Sequence, residues 1–289
     1  MIEYELAKSC LPRSSRESSV VAELVKSSEN MLAHFSQLAA SYRYLRTTDL
    51  LPIMFMKGVL DGIEGFQAAD IGCGAGRYCL KLLKHLGIGH LTCVDNNESM
   101  LRQTSSYLQA AGVTNFRTIM AVAEDIPLAA GSVDCVFSFN AIHHFDCLRF
   151  LKNAARAVRG GGYIFIYTRL KSQNARNIWG QYFPLFWEKE NRLYEQDELE
   201  RMIAMVVSLS IEHVRHFRYR RVVSLDRLIS LARRAHYSTF ALYGADELSA
   251  AIAGFRDNIK QHFSDLKRIE WFDENTLLVL RKRGANHPV

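Results

Sequence analysis

The stretch that most constrains this chain runs from Ala68 to Tyr78, reading AADIGCGAGRY. A short apolar run closes on Asp70-Ile71, and Gly72, Gly74 and Gly76 follow at alternate positions. Such a pattern reads as the end of a strand, a tight glycine turn and the start of a helix. Glycine tolerates the backbone angles of such a turn and puts no Cβ between the peptide groups and a ligand. A helix opening at Gly76 is expected to aim its free N–H groups at the same place, which suits a nucleotide-like ligand. After the helix, residues 78–86, comes an apolar strand, His90 to Val94, ending in Asp95. That acidic residue lies about 20 positions past the turn, where a carboxylate accepts from both ribose hydroxyls. A dinucleotide fingerprint needs its third glycine at position 77, which is Arg77, so the spacing disfavours NAD.

Asp70, the three glycines and Asp95 together resemble the first motif and following acidic position of class I S-adenosylmethionine (SAM)-dependent methyltransferases of the small-molecule type. The resemblance continues through Ala123-Glu124-Asp125-Ile126-Pro127-Leu128, similar to the family's adenine loop, and Gly131 to Phe145, similar to its fourth strand. Arg159-Gly160-Gly161-Gly162 followed by Tyr163 to Ile166 is similar to its glycine turn and fifth strand. The resemblance implies SAM as cofactor and S-adenosylhomocysteine (SAH) as product. It implies a binding set of Asp70, Gly72, Cys73, Gly74, Gly76, Asp95 and Asn96, with Ala123 and Glu124 or Asp125 on the adenine and the Asn140 carbonyl on the methionine ammonium. Many relatives carry an Asp just before the Ala of the adenine loop; here that position is Val122. Phe35, Ala39 and Tyr42 resemble the family's F-x-x-x-A-x-x-Y preamble, in which a helix covers the cofactor; a core-facing stripe explains the same spacing.

Strand and helix alternate from Phe66 to Thr168, with strands expected near 66, 90, 115, 133 and 162. Alternation of this kind builds a parallel sheet with helices on both faces and the ligand at the carboxyl ends of the strands. With the resemblance, the expected fold is α/β and Rossmann-like: a mostly parallel seven-stranded sheet flanked by helices, with a helical cap inserted before the last strand. Residues 1–62 are expected to form an arm and helical cover, 63–170 the SAM-binding core, and 171–289 an aromatic lid, the remaining strands and an acceptor cap over about 222–265. All belong to one domain.

At the N-terminal end, Met1 to Ser19 reads as a loose arm, and the apolar spacing from Val20 to Leu45, including Val21, Leu24 and Val25, as one or two helices broken near Ser27-Ser28. Asp49 is a candidate cap for a helix reaching Leu60, with Pro52 in its first turn. Beyond Thr168 the segment Asn177 to Trp187 carries five aromatics without a clean period. It reads either as a buried loop or as a lid that excludes water from an acceptor. A helix from Asp197 to Val207, capped by Asp197, and a strand from Leu209 to Tyr219 follow. Helices from Ser224 to Ala235 and from Ala245 to His262 then precede the closing strand, Asn275 to Leu280.

Composition narrows the function classes. Of 289 residues, 48% are hydrophobic, ample for a packed core, yet no run approaches the about 18 apolar residues that span a bilayer. The first residues lack the basic and apolar regions of a secretory signal, so a cytoplasmic location is expected. The six cysteines form no C-x-x-C pair and read as reduced core thiols. The net charge of +6 suits nucleic acid, an acidic metabolite or an anionic surface alike. Its densest cluster, Arg215, Arg218, Arg220 and Arg221, reads as a solvated strand edge or as an anion-attracting rim.

A sulfonium methyl is strongly electrophilic, so an enzyme using it must chiefly align a nucleophile and exclude water. A carboxylate acceptor needs no base, whereas a hydroxyl or amine does. His143 and His144 have a suitable intrinsic pKa for that task, and they equally fit a helix start with one capping and one exposed. Tyr167 is a further catalytic candidate. With Arg169 it ends the fifth strand and is placed to line an acceptor pocket, and Arg233 or Arg234 is placed to hold an acidic acceptor. His213 and His216 fall on opposite faces of a strand, and no metal site is expected. The expected reaction is O- or N-methylation of a small molecule, an acidic metabolite among the candidates. The other readings are an RNA-modifying relative of the same fold and a SAM-binding protein without turnover.

Overall fold

The sheet is built from strands whose two faces carry different apolar sets. In β5 (Val158–Thr168), Tyr163, Phe165 and Tyr167 pack on one side while Ile164 and Ile166 pack on the other, the period-2 pattern of a strand buried on both faces. In the computed structural model, which describes the backbone of residues 15–284 and the side chains from residue 30, seven strands pair in the order β3-β2-β1-β4-β5-β7-β6. These are β1 (Phe66–Ile71), β2 (Ile88–Asp95), β3 (Phe116–Met120), β4 (Val133–Phe139), β5, β6 (Leu209–Val223) and β7 (Ile269–Lys282). The first five pair in parallel, and β7 lies antiparallel between β5 and β6.

One face of the sheet packs against α2 (Leu51–Val59), α3 (Cys79–His85) and α4 (Glu98–Ala110), through Ile53, Met56, Leu82 and Leu101 among others. The other packs against α5 (Cys147–Ala157) and α9 (Gln196–Ala204), through Phe150, Leu151, Leu199 and Ile203. Burying a leucine-sized side chain contributes about 1.5–3 kcal/mol, so these two layers hold the scaffold on which the loops are mounted.

Between β5 and β6 lie α6 (Lys171–Arg176), α7 (Ile178–Tyr182) and α8 (Phe186–Lys189); between β6 and β7 lie α10 (Leu225–Arg233), a 3₁₀ turn (Ser238–Leu242) and α11 (Ala245–His262). The aromatic run occupies α7 and α8. Trp179, Phe183 and Phe186 are buried against Phe240 and Phe255, with the Trp179 and Phe255 rings stacked 5.1 Å apart. The run is thus chiefly the packed core of the cap, and only Trp187 stands largely exposed.

Several local expectations are corrected. A single helix, α1 (Ser15–Leu45), spans the expected break at Ser27-Ser28 and takes in the last residues of the expected arm. Residues 1–14 of that arm, Cys10, and the side chains of Val21, Leu24 and Val25 lie outside the described residues. Leu50, not Asp49, sits at the start of α2 without a side-chain cap, because the Asp49 carboxylate is held by Arg221 at 2.8 Å. Glu195, not Asp197, stands at the start of α9, its N–H donating to Glu198 Oε2 at 2.7 Å, while Asp197 pairs with Arg201 one turn on. The glycines at 160–162 lie inside β5, where the register shifts, and a Cβ on Gly162 would sit 2.4 Å from the Asp134 carbonyl oxygen.

α1 lies across the carboxyl edge of the sheet. It packs on α4 and on the 3₁₀ turn of the cap, and Ala39, Phe35 and Tyr42 meet Ala75 and Met100 beside the glycine turn. Among the described residues, no helix is long and apolar enough to cross a membrane.

Candidate active site

The turn after β1 is left-handed at Gly72, Gly74 and Gly76, with φ of +72°, +54° and +74°. Each glycine answers a different need. A Cβ on Gly72 would lie 2.6 Å from that of Ala141, and one on Gly76 would lie 2.9 Å from Thr104 Cγ2. A Cβ on Gly74 would meet nothing nearer than Tyr42 Cε1 at 3.7 Å, so this glycine keeps open the cleft it lines. Two expectations change here. α3 begins at Cys79 rather than at Gly76, and the loop N–H groups are tied to β2 instead of pointing free. The Gly72 and Cys73 N–H groups donate to the Val94 carbonyl at 2.8 and 3.0 Å, and that of Gly74 donates to Asp95 Oδ2 at 2.8 Å.

These bonds fix Asp95, whose Oδ1 also accepts from the Asn97 N–H at 2.9 Å. Burial raises its pKa, and the N–H donors of Gly74, Asn97 and Asn96 pull it back. Asp70 is more exposed to the cost of burial. It is 1% accessible, its Oδ2 accepts from the Cys79 thiol at 3.2 Å, and its Oδ1 has no partner among the described residues. Burial therefore pushes its pKa well above the ordinary carboxylate value.

Asp70, Gly72, Cys73, Gly74, Asp95 and Asn96 line one cleft of about 860 Å³. Ala123 and Glu124 line it too, with Tyr42 and Asn140. Gly76 does not; it turns toward α4 and serves the packing of the loop. Val122 and Asp125 are likewise not in the lining. One Glu124 oxygen is committed to the Asp146 N–H at 2.6 Å, at the start of α5. Phe35, named with Tyr42 in the preamble motif, lines the cleft as well. The sequence reading missed Met100, Phe145 and the stacked pair Tyr78–Phe139, whose rings lie 4.0 Å apart. It also missed Arg77, which carried a legible signal as the residue that broke the dinucleotide spacing. Arg77 is 8% accessible, borders the cleft, and donates to the Thr47 carbonyl.

Asn140 holds a left-handed backbone, φ +52°, at the end of β4, with its N–H bonded to the Tyr167 carbonyl at 2.7 Å. It borders three spaces at once: the cleft, a polar cavity of about 1110 Å³ beneath the cap, and a smaller chamber of about 470 Å³. Strain of this kind at a junction is a mark of functional positions. Tyr167 and Arg169 wall the larger cavity. The Tyr167 hydroxyl meets that of Tyr219 at 3.4 Å, and burial raises its pKa, so the phenol stays protonated. Arg233 and Arg234 are exposed on the cap and line none of these spaces.

His143 and His144 lie in a 3₁₀ turn (Ile142–His144) and face the chamber; His144 also borders the cleft. Burial, then the charges of Arg192, Arg46 and Arg169, push His143 down to about 3. Burial, His143 and Arg192 hold His144 well below the ordinary imidazole value. The expected ordinary pKa is thus corrected: both rings are neutral, and neither simply caps a helix, since the cap of α5 is Asp146.

The arginine run on β6 is largely compensated. Arg218 approaches Glu274, Arg220 pairs with Glu270, and Arg221 with Asp49 and Asp273. No metal-holding group of His, Cys, Asp and Glu side chains occurs among the described residues.

Comparison with known proteins extends the resemblance. Along residues 69–166 the chain matches the family model described as methyltransferase domain. Over 152 residues, 49% of this chain, it is 27% identical to the ubiquinone biosynthesis O-methyltransferase of Rhizobium etli. The match spans 59% of that relative, so the chain covers little more than half of the curated protein it resembles. The methyltransferase fold extends over most of the chain. The YcgJ protein from Bacillus subtilis superposes with a TM-score of 0.58 at 17% identity, over 82% of this chain and 100% of that one. A geranyl diphosphate methyltransferase in complex with SAM superposes at 0.50 and 15%, over 80% and 83%.

Proposed function

We propose that this protein transfers the methyl group of SAM to an oxygen or nitrogen of a small-molecule acceptor held beneath the cap. The observation that carries the reading is Asn140, at which the cleft lined by Asp70, Gly74 and Asp95 meets the polar cavity under the cap. The residues fit such a cofactor. The unpartnered Asp70 oxygen suits a cationic ammonium, which would relieve the cost of the buried charge. Asp95, already oriented by two N–H donors, has lone pairs left for ribose hydroxyls. The Asn140 carbonyl is assigned to the same ammonium. Ala123, Phe145 and the free Glu124 oxygen are assigned to the base, Gly72, Cys73 and Asn96 to the walls, and Tyr42 to the cover.

SAM supplies, when bound, an electrophilic methyl carbon. An acceptor's lone pair would displace SAH from that carbon, the carbon–sulfur pair returning to sulfur, and an O–H or N–H acceptor would also release a proton. The chain's part is alignment and exclusion of water. The cap and α1 close over the junction, Tyr167 presents a protonated phenol on the cavity wall, and the neutral His144 and His143 orient polar groups in the chamber. Neither imidazole is a strong base, which favours an acceptor that is already anionic or gives up its proton readily.

The test is transfer of label from methyl-labelled SAM into a cell extract, separated into small-molecule, protein and nucleic-acid fractions. Label in the small-molecule fraction supports the reading. Label in nuclease-sensitive material instead replaces it with an RNA-modifying role, and no SAH binding with no transfer removes it.

A further inference from the structure

The cavity beneath the cap is lined by six arginines, Arg46, Arg77, Arg169, Arg220, Arg221 and Arg227, against two carboxylates, Asp49 and Asp273. Both carboxylates are spent. Asp49 is held by Arg221 at 2.8 Å, and Asp273 by Arg169 at 3.0 Å and Arg221 at 3.3 Å. Arg220 has Glu270, its Nε donating at 2.6 Å. Arg46, Arg77 and Arg227 have no carboxylate partner among the described residues. Arg77 also borders the SAM cleft, whereas Arg46 and Arg227 do not.

Arg46 is half-buried. It stacks over the Tyr237 ring at 4.2 Å and gives one N–H to the His236 carbonyl at 3.2 Å, which leaves most of its donors unused. Arg227 comes from the first turn of α10 and lines the same cavity as Arg46. His236 lines it too, its pKa held well below the ordinary value by burial and then by the charges of Arg46, Arg169 and Arg227. Like charges gathered in a partly enclosed space repel each other, so an anion entering there gains from guanidinium donors, those of Arg46 half-buried and those of Arg227 exposed. Trp271 and Tyr237 edge the same polar cavity, with the buried Trp179 behind them, and they offer one aromatic side to a flat unsaturated body.

Resting on the methyltransferase reading above, we infer that the acceptor is an organic acid with a planar, unsaturated body, whose carboxylate is held by Arg46 and Arg227 while the body lies along the aromatic wall toward Asn140. On β6, Arg218, Arg220 and Arg221 each reach a carboxylate, whereas Arg46 and Arg227 in the cavity have none among the described residues.

Two of the three tryptophans of the chain line this cavity, so their fluorescence reports its occupancy. The full chain is first titrated with SAH, then, saturated with SAH, with benzoate, with its neutral counterpart benzamide, and with inorganic phosphate. Benzoate is expected to quench saturably and to bind at least about tenfold more tightly than either of the others. Arg46→Gln and Arg227→Gln are expected each to weaken benzoate about tenfold while SAH affinity stays within about twofold. Equal binding of benzamide overturns the anion requirement, and equal binding of phosphate overturns the organic acid. A loss of SAH affinity in the arginine variants shows that they read the methionine carboxylate instead, and also overturns the inference. Failure of SAH to bind the unaltered protein is a different result, and it defeats the methyltransferase reading itself.

Discussion

Asp70→Asn separates what the fold wants at that position from what a bound cofactor wants. In the ligand-free chain the carboxylate is 1% accessible, with one oxygen on the Cys79 thiol and the other without a partner among the described residues. Its pKa is raised above the unfolded value, first by burial, with Asp95 adding and Arg77 opposing. A raised carboxylate adds stability below its unfolded pKa and loses it as pH climbs through the folded pKa, so at neutral pH the ionised group is a net cost. An amide of the same shape keeps the thiol as a donor to its oxygen and removes the charge. The amide nitrogen that replaces the orphan oxygen is itself unpaired, so what is relieved is the charge, about 1–3 kcal/mol, and in a chain of this size each kcal/mol moves Tm by about 2–4 °C. The ligand-free variant should therefore melt about 2–12 °C higher. Its affinity for SAH should move the other way. Losing a charge-assisted bond to an ammonium costs about 1.5–3 kcal/mol, or roughly 10- to 150-fold in Kd. Calorimetric titration with SAH and a thermal melt, both near neutral pH, read the two effects. If Tm is unmoved and affinity stays within about twofold, Asp70 neither bears a buried charge nor meets the cofactor.

Two further substitutions test neighbouring steps. Gly74→Ala places a methyl in open space, so the fold should survive with about 1–2 kcal/mol of strain from the positive φ. SAH affinity should still fall about tenfold or more, because the methyl enters the cleft; a folded variant with full affinity by circular dichroism and calorimetry would discard the glycine-turn assignment. His143 is held down to about 3 by burial and by Arg192, Arg46 and Arg169. A lowered imidazole contributes stability above its unfolded pKa, near 6.5, and loses it as pH falls toward 3, so His143→Gln should reduce acid destabilisation across that window by about 1–4 kcal/mol. Identical urea midpoints for variant and parent from pH 6.5 downward would mean that the ring titrates normally.

The core elements were legible because their signals are local. Apolar alternation in β1, β2, β4 and β5, glycines at three fixed positions and a carboxylate at the end of β2 are each read from a few neighbouring residues, and together they carried the resemblance to methyltransferases. The ends of helices were less legible. Asp197 pairs with Arg201 instead of capping α9, and Arg221 removed Asp49 from the start of α2, because a carboxylate goes to whichever donor the folded chain brings nearest. The histidine pair shows the same limit. Its identity and place after β4 come from the sequence, but its protonation depends on burial and on arginines more than 20 positions away in the chain, Arg46, Arg169 and Arg192.

By itself, then, the sequence determined the α/β architecture of the core and most of the residues that line the cleft, since strand period, turn chemistry and motif spacing are properties of neighbouring residues. Only the tertiary structure decided which arginines are spent and which remain free. Ion pairing depends on through-space distance, and Arg221 finds Asp49 while Arg46 and Arg227 line one cavity with no carboxylate partner among the described residues.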